Sequence, residues 1–290
     1  MGLKIHVPLA SRGIVSVWGE DARDFLQGLI TNDIEKVSKN SAIYAALLTP
    51  QGKFLHDFFI VEYKDRLLLD CEAGRIPDLI KRLTMYRLRA KVDIADETGT
   101  FAVGVMLAPG QSGPDGNAGA AKTRFDGVSY IDPRHAGLGE RTIRLIDEDD
   151  SFPADEAVLA NNVAEYEAKR IALGIPDSAA DLVPEKSMPL EVGFDELNGV
   201  DFQKGCYVGQ EVTTRMKHRS LVRKRLFPVT FDGDLAPGTS VKAGDVVAGE
   251  IHSSQKGRGI ALLRLDLVEQ GGLSADGIAL KAEKPDWAAF

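Results

Sequence analysis

The chain is 290 residues long, 44 % hydrophobic and 27 % charged, with a net charge of −8. This composition excludes a disordered or fibrous chain, and the shortage of Lys and Arg excludes a general nucleic-acid binder. Its two cysteines, Cys71 and Cys206, are too few for a disulfide framework or for a four-cysteine cluster site, so a reducing cytoplasm is the expected compartment.

Met1 to Val7 lacks the apolar stretch of a secretory signal, and no apolar run is long enough to cross a bilayer, so no membrane association is expected. Ile14 to Trp18 reads as a short strand. After Gly19 an amphipathic helix places Ala22, Phe25, Leu26, Leu29 and Ile30 on one side. Tyr44 to Leu48 reads as a buried strand closed by the turn Thr49-Pro50-Gln51-Gly52. Phe54 to Tyr63 and Arg66 to Cys71 form a hairpin across Lys64-Asp65, and Arg75 to Leu83 carries Ile76, Leu79, Ile80 and Leu83 in helical phase.

Phe101 to Leu107 is a further strand. The Gly-, Ala- and Ser-rich stretch 109–121 is an expected exposed connection. Strands follow near Val128 to Ile131 and Thr142 to Ile146, then a helix that Gly174 and Pro176 stop near Leu173. From Asp177 to Asn198 there is little periodicity. After Val222, short β-rich runs (Leu226 to Phe231, Val246 to Ile251, Gly259 to Leu265) alternate with glycines, the texture of a small antiparallel barrel. The expected organisation is an α+β body over 1–222, built from two interleaved subdomains, and a β-barrel domain over 223–290.

The densest chemical signal is Lys204-Gly205-Cys206-Tyr207-Val208-Gly209-Gln210-Glu211. Gly205 and Gly209 permit a tight turn and close backbone approach, and Glu211 onward can open a helix. Free N–H groups at a helix start, with Lys204 nearby, would favour the Cys206 thiolate, which makes the cysteine reactive or ligand-contacting. The alternative is a buried small hydrophobe in a glycine turn. A second feature is basic: Arg215, Lys217, His218, Arg219, Arg223, Lys224 and Arg225 occur with no acid among them. This is either a solvated helix end or an anion site for a ligand tail or an acidic partner. His6, His135 and His252 lack ligand spacing, and Cys71 ends an apolar strand as a core residue.

The run KGCYVGQE resembles the signature of the YgfZ family, which is related to the T-protein aminomethyltransferases. Gly19 to Ile34, Leu48 to Phe58, Pro189 to Gly199 and Val247 to Arg264 resemble further parts of that family. The resemblance implies a GcvT-like multi-domain ring around a central folate pocket, with a C-terminal antiparallel β-barrel. It implies a tetrahydrofolate-binding accessory protein of iron–sulfur cluster assembly or repair, with folate and iron–sulfur client proteins as partners. The rival functions are an aminomethyltransferase of glycine cleavage and a folate-dependent demethylase or carrier. Carried over by position, Cys206, Lys204 and Asp57 are the expected catalytic residues, with His56 beside Asp57 where a carboxylate pair is the pattern. Glu191, Tyr207, Gln210, Glu211, Arg215, Arg223 and Arg225 are expected at the folate, the arginines against its glutamate tail. Ala172 stands where the family carries a pterin-binding Glu, and its side chain accepts no hydrogen bond; Glu191 is the candidate substitute.

Overall fold

The structure, a computed structural model, describes residues 5–107, 117–146, 156–219 and 222–290. In chain order the elements are β1 (Ile5–Pro8), β2 (Arg12–Trp18), α1 (Ala22–Gln27), β3 (Ile43–Leu48), β4 (Phe54–Tyr63) and β5 (Arg66–Glu72). They continue with α2 (Ile76–Arg87), β6 (Asp93–Asp96), β7 (Phe101–Leu107), β8 (Ala121–Arg124), β9 (Gly127–Ile131) and β10 (Glu140–Leu145). Then come α3 (Glu156–Ala172), α4 (Ser178–Asp181), α5 (Gln210–His218), β11 (Lys224–Phe231), β12 (Ser240–Ala243) and β13 (Val246–Gln255). The chain closes with β14 (Arg258–Arg264), α6 (Leu265–Gln270), β15 (Leu273–Ala275) and β16 (Ile278–Ala282). Most of the expected Gly- and Ala-rich connection lies outside the described residues. Among the described residues no helix is long and apolar enough to cross a membrane.

The chain forms two compact units. The first comprises Met1–Leu48, Leu55–Tyr166 and Asn198–Val208; the second comprises Thr49–Phe54, Glu167–Leu197 and Gly209–Phe290. The first holds two five-stranded sheets, ordered β3-β4-β5-β2-β6 and β1-β7-β10-β9-β8. β4 and β5 pair antiparallel from Phe58↔Cys71 to Tyr63↔Arg66, as the hairpin reading expects. β4 is buried along nearly its whole length, His56 and Asp57 included. Leu26 of α1, Ile30 just beyond it, and Leu79 and Leu83 of α2 join Ile60 and Leu69 in the core of this unit. β1, β6 and β8 are four-residue strands that periodicity does not reveal.

In the second unit β11-β14-β13-β12-β15-β16 close into a barrel. Phe227, Val229 and Phe231 alternate along β11 and point into its core with Val241, Ile251, Ala261 and Leu263. The segment 177–198, patternless in sequence, is mostly turns. It contains α4, which Asp177 caps by accepting from Ala179 N and Ala180 N.

Candidate functional site

The signature loop is stitched to the segment that follows α1. Thr31 Oγ1 donates to the Gly199 carbonyl at 2.6 Å, and Asn32 Nδ2 donates to the carbonyls of Tyr44 and Asn198, each at 2.8 Å. Lys36 pairs with Asp201 at 2.6 Å. Lys204 is buried and its Nζ donates to the carbonyls of Gln27, Ile30 and Asn32 at 2.8, 2.7 and 2.7 Å. An ammonium has three protons, so all its donors are engaged, one on the last carbonyl of α1 and two on carbonyls of the segment beyond it. Burial pulls the Lys204 pKa down to about 8, against the opposing pull of Asp33 and Asp201. Lys204 also lies 5.2 Å from the ring centroid of Tyr207, which is itself buried, and Val208 packs on the core. Between these anchored neighbours Cys206 is exposed, whereas Cys71 is buried and its thiol is pushed up to about 12 by burial.

Two expectations change here. Lys204 holds the loop through backbone carbonyls and is not a charge free to act on the thiol. Gly205 has open space where a Cβ would stand, so only Gly209, at φ 86° before α5, needs glycine for its backbone. The helix itself begins at Gln210.

Asp57 is buried on β4 and accepts from Tyr44 Oη at 2.9 Å. Burial, then the neighbouring Asp57, holds the Tyr44 phenol well above its ordinary range. His56 points to the other side of the strand, where its Nε2 meets Asp78 of α2 at 2.9 Å. Burial and the nearby Arg75 lower His56 to about 4. The two residues therefore form no His–Asp pair, a correction to the sequence reading that strand alternation explains.

Next to Asp57 lies a set of buried charges that sequence reasoning missed. Asp70 accepts from Arg12 Nε at 2.7 Å, Arg141 Nη2 at 2.7 Å and Tyr130 Oη at 2.9 Å. Arg134 pairs with Asp132 at 2.9 Å. The guanidinium carbons of Arg141, Arg134 and Arg12 lie 4.2, 4.9 and 5.6 Å from the Phe59 ring centroid. Burial alone would raise the Asp70 pKa, but Arg12 and Arg141 outweigh it and hold the carboxyl below its usual range. The available signal was a lone acid inside the apolar run Leu67-Leu68-Leu69-Asp70-Cys71.

In the second unit Arg225 is buried. Its Nη1 donates to the Leu190 carbonyl at 2.5 Å and lies 3.3 Å from both Asp195 and Glu196, with the Phe290 ring 5.0 Å from its guanidinium carbon. Its charge is thus met by two acids of its own unit, while its Nε is buried without a hydrogen-bond partner. Arg215, Arg223 and Glu211 are exposed and Gln210 is partly so. Glu191 is half-buried, and burial raises its pKa against the pull of Lys224 and Arg225. Arg170, missed as well, is buried between Asp181 at 2.7 Å, Glu167 at 2.7 Å and Ser253 Oγ at 3.0 Å. Ala172, two residues on, is exposed. Ala172 offers no acceptor where the resemblance puts a pterin-binding Glu, and Arg225 is already paired with Asp195 and Glu196. Among the described residues no group of three or more His, Cys, Asp or Glu side chains could hold a metal ion.

Comparison with known proteins bears on this arrangement. Residues 9–109 match the GCVT N-terminal domain, and residues 223–290 match the CAF17 C-terminal beta-barrel domain. The mouse mitochondrial iron-sulfur cluster assembly factor IBA57 is 32 % identical, over 96 % of this chain and 84 % of its own length. The chain belongs to the IBA57 family. The human IBA57 is likewise 32 % identical over 96 % and 84 %, and a Mycosarcoma maydis homologue is 35 % identical over 76 % and 55 %. The kinship expected with YgfZ thus takes the form of IBA57 relatives sharing a GcvT-like domain. All three relatives are named mitochondrial, which overturns the expectation of a cytoplasmic protein. The aminomethyltransferase T of the Bartonella henselae glycine cleavage system superposes at a TM-score of 0.78, covering 99 % of this chain and 87 % of that one. At 12 % identity this shows the GcvT-like α+β fold with its closed C-terminal barrel and nothing of activity.

Proposed function

We propose that this chain is an accessory factor in iron–sulfur cluster assembly whose Cys206 thiol is the group that touches the cluster. Relatives 32 % identical to this chain are named iron-sulfur cluster assembly factors. The observation that supports the chemistry is the placement of Cys206: exposed, between Lys204 on its three carbonyls and the buried Tyr207. A thiolate is a natural iron ligand, and a braced loop presents it without the cost of ordering a flexible one.

The cluster is cargo here. One exposed cysteine supplies one of the usual four ligands, so the remaining ligands come from a protein that gives or receives the cluster. Iron–sulfur client proteins are the partners in this reading. This reading routes no step through folate, since Ala172 offers a pterin no acceptor. An aminomethyl transfer is disfavoured for the same reason.

The test is rescue of a strain lacking the gene by the wild-type chain, Cys206→Ser and Cys71→Ser, scored on a [4Fe–4S] enzyme and on an iron-free enzyme. Wild type and Cys71→Ser restore the iron–sulfur activity selectively and Cys206→Ser does not. Full restoration by a well-folded Cys206→Ser would sink the reading.

A further inference from the structure

The C-terminal end of α2 presents an apolar and basic surface that the first unit does not use. The inner side of the helix is accounted for by Ile76, Leu79 and Leu83, all buried. Beyond them Met85, Tyr86 and Leu88 are 68 %, 40 % and 89 % exposed. Leu88 ends the helix at φ 45°, in the left-handed region that a branched side chain adopts with difficulty. A glycine would adopt that backbone at less cost, so the leucine is not explained by stability.

The charge around it is equally one-sided. Between Asp78 and Asp93 the chain carries Lys81, Arg82, Arg87, Arg89 and Lys91 and no acid, although the whole protein has a net charge of −8. Arg82 pairs with Asp78 and Lys91 with Glu20. Among the described residues Lys81, Arg87 and Arg89 have no ion-pair partner, and Arg87 only donates to the Val92 carbonyl at 3.3 Å.

A single exposed apolar side chain is ordinary. Methionine, tyrosine and leucine exposed within four positions, beside uncompensated arginines, have the composition of the centre of a protein–protein contact. We propose that the end of α2 is a docking surface for an acidic partner protein, with Met85 and Leu88 entering an apolar recess and Lys81, Arg87 and Arg89 meeting its carboxylate rim. The proposal rests on the assembly-factor reading only in giving the partner its role, the protein that shares the cluster with Cys206. A second copy is disfavoured because isologous pairing through this surface sets the same cations against each other. A bilayer is disfavoured because three apolar side chains insert little area and the acidic body repels an anionic surface.

The test places a photocrosslinker in the full chain, Leu88→p-benzoylphenylalanine, in living cells. The expected result is a cross-link to an acidic iron–sulfur protein, identified by mass spectrometry and then shown to bind in purified form. Lys81→Glu with Arg89→Glu, or high salt, should reduce that cross-link roughly tenfold, the range of a lost contact centre and its steering charges. In the rescue strain Leu88→Asp, with unaltered melting, should fail where the wild type succeeds. Full rescue by Leu88→Asp, a cross-link only to a second copy, or binding to phosphatidylglycerol vesicles that Leu88→Asp abolishes would each overturn the proposal. If the assembly-factor reading is the one at fault, the wild type restores nothing while position 88 still captures the acidic protein.

Discussion

Positive charge in this chain has two fates. In the first unit Arg12, Arg134 and Arg141 are buried against Asp70, Asp132 and the face of Phe59. In the second unit Arg215, His218, Arg219, Arg223 and Lys224 form a dense run in sequence that lies exposed in the structure, with Arg225 the one member that turns inward. Density along the chain therefore says little about which charges are structurally committed. A buried arginine needs a carboxylate at hydrogen-bond distance, and that partner can come from a distant strand, as Asp70 does for Arg141, or from two residues away, as Asp132 does for Arg134. A surface run needs no partner at all.

The largest effect expected from breaking this contrast is at Asp70. Asp70→Asn leaves Arg12 and Arg141 buried without their shared counter-charge and should destabilise the chain by about 3–5 kcal/mol in chemical denaturation. A cost near zero would mean that the network is hydrated and does not knit the two sheets of the first unit.

A smaller effect, and one with its own pH window, is expected from the buried His56 of the same unit. Its folded pKa of about 4 lies below the ordinary value of 6.5. A depressed pKa means that the unfolded chain takes up the proton first. The associated stability is complete above about pH 6.5 and is lost as pH falls toward 4, to an extent of about 3 kcal/mol. Asp70, held below the ordinary carboxylate range, acts only at more acid pH, so the two windows separate. His56→Gln should flatten the slope between those values; an unchanged slope would place the titration elsewhere.

The smallest effect is expected in the second unit. Arg223→Ala and Arg215→Ala should leave the denaturation midpoint unchanged, since exposed charges contribute little to folding. A clear loss in either variant would show that the basic run is committed to structure after all, and would erase the contrast with the buried arginines.

What the sequence alone determined is the set of elements with strong local patterns. The β4–β5 hairpin, the amphipathic α2 and the glycine-punctuated strands of the barrel follow from periodicity and turn chemistry, which are local properties. The signature around Cys206 was legible because eight consecutive residues carry it. The four-residue strands β1, β6 and β8 were not, because so short a strand is fixed by the neighbour it pairs with. The roles of the charged residues were decided only by tertiary structure. Lys204 and Arg225 both read as free cations beside a thiol or a ligand, and both prove to be held by carbonyls and acids far away in the chain. Burial makes such partners obligatory, and nothing in the local sequence says which distant group will supply them.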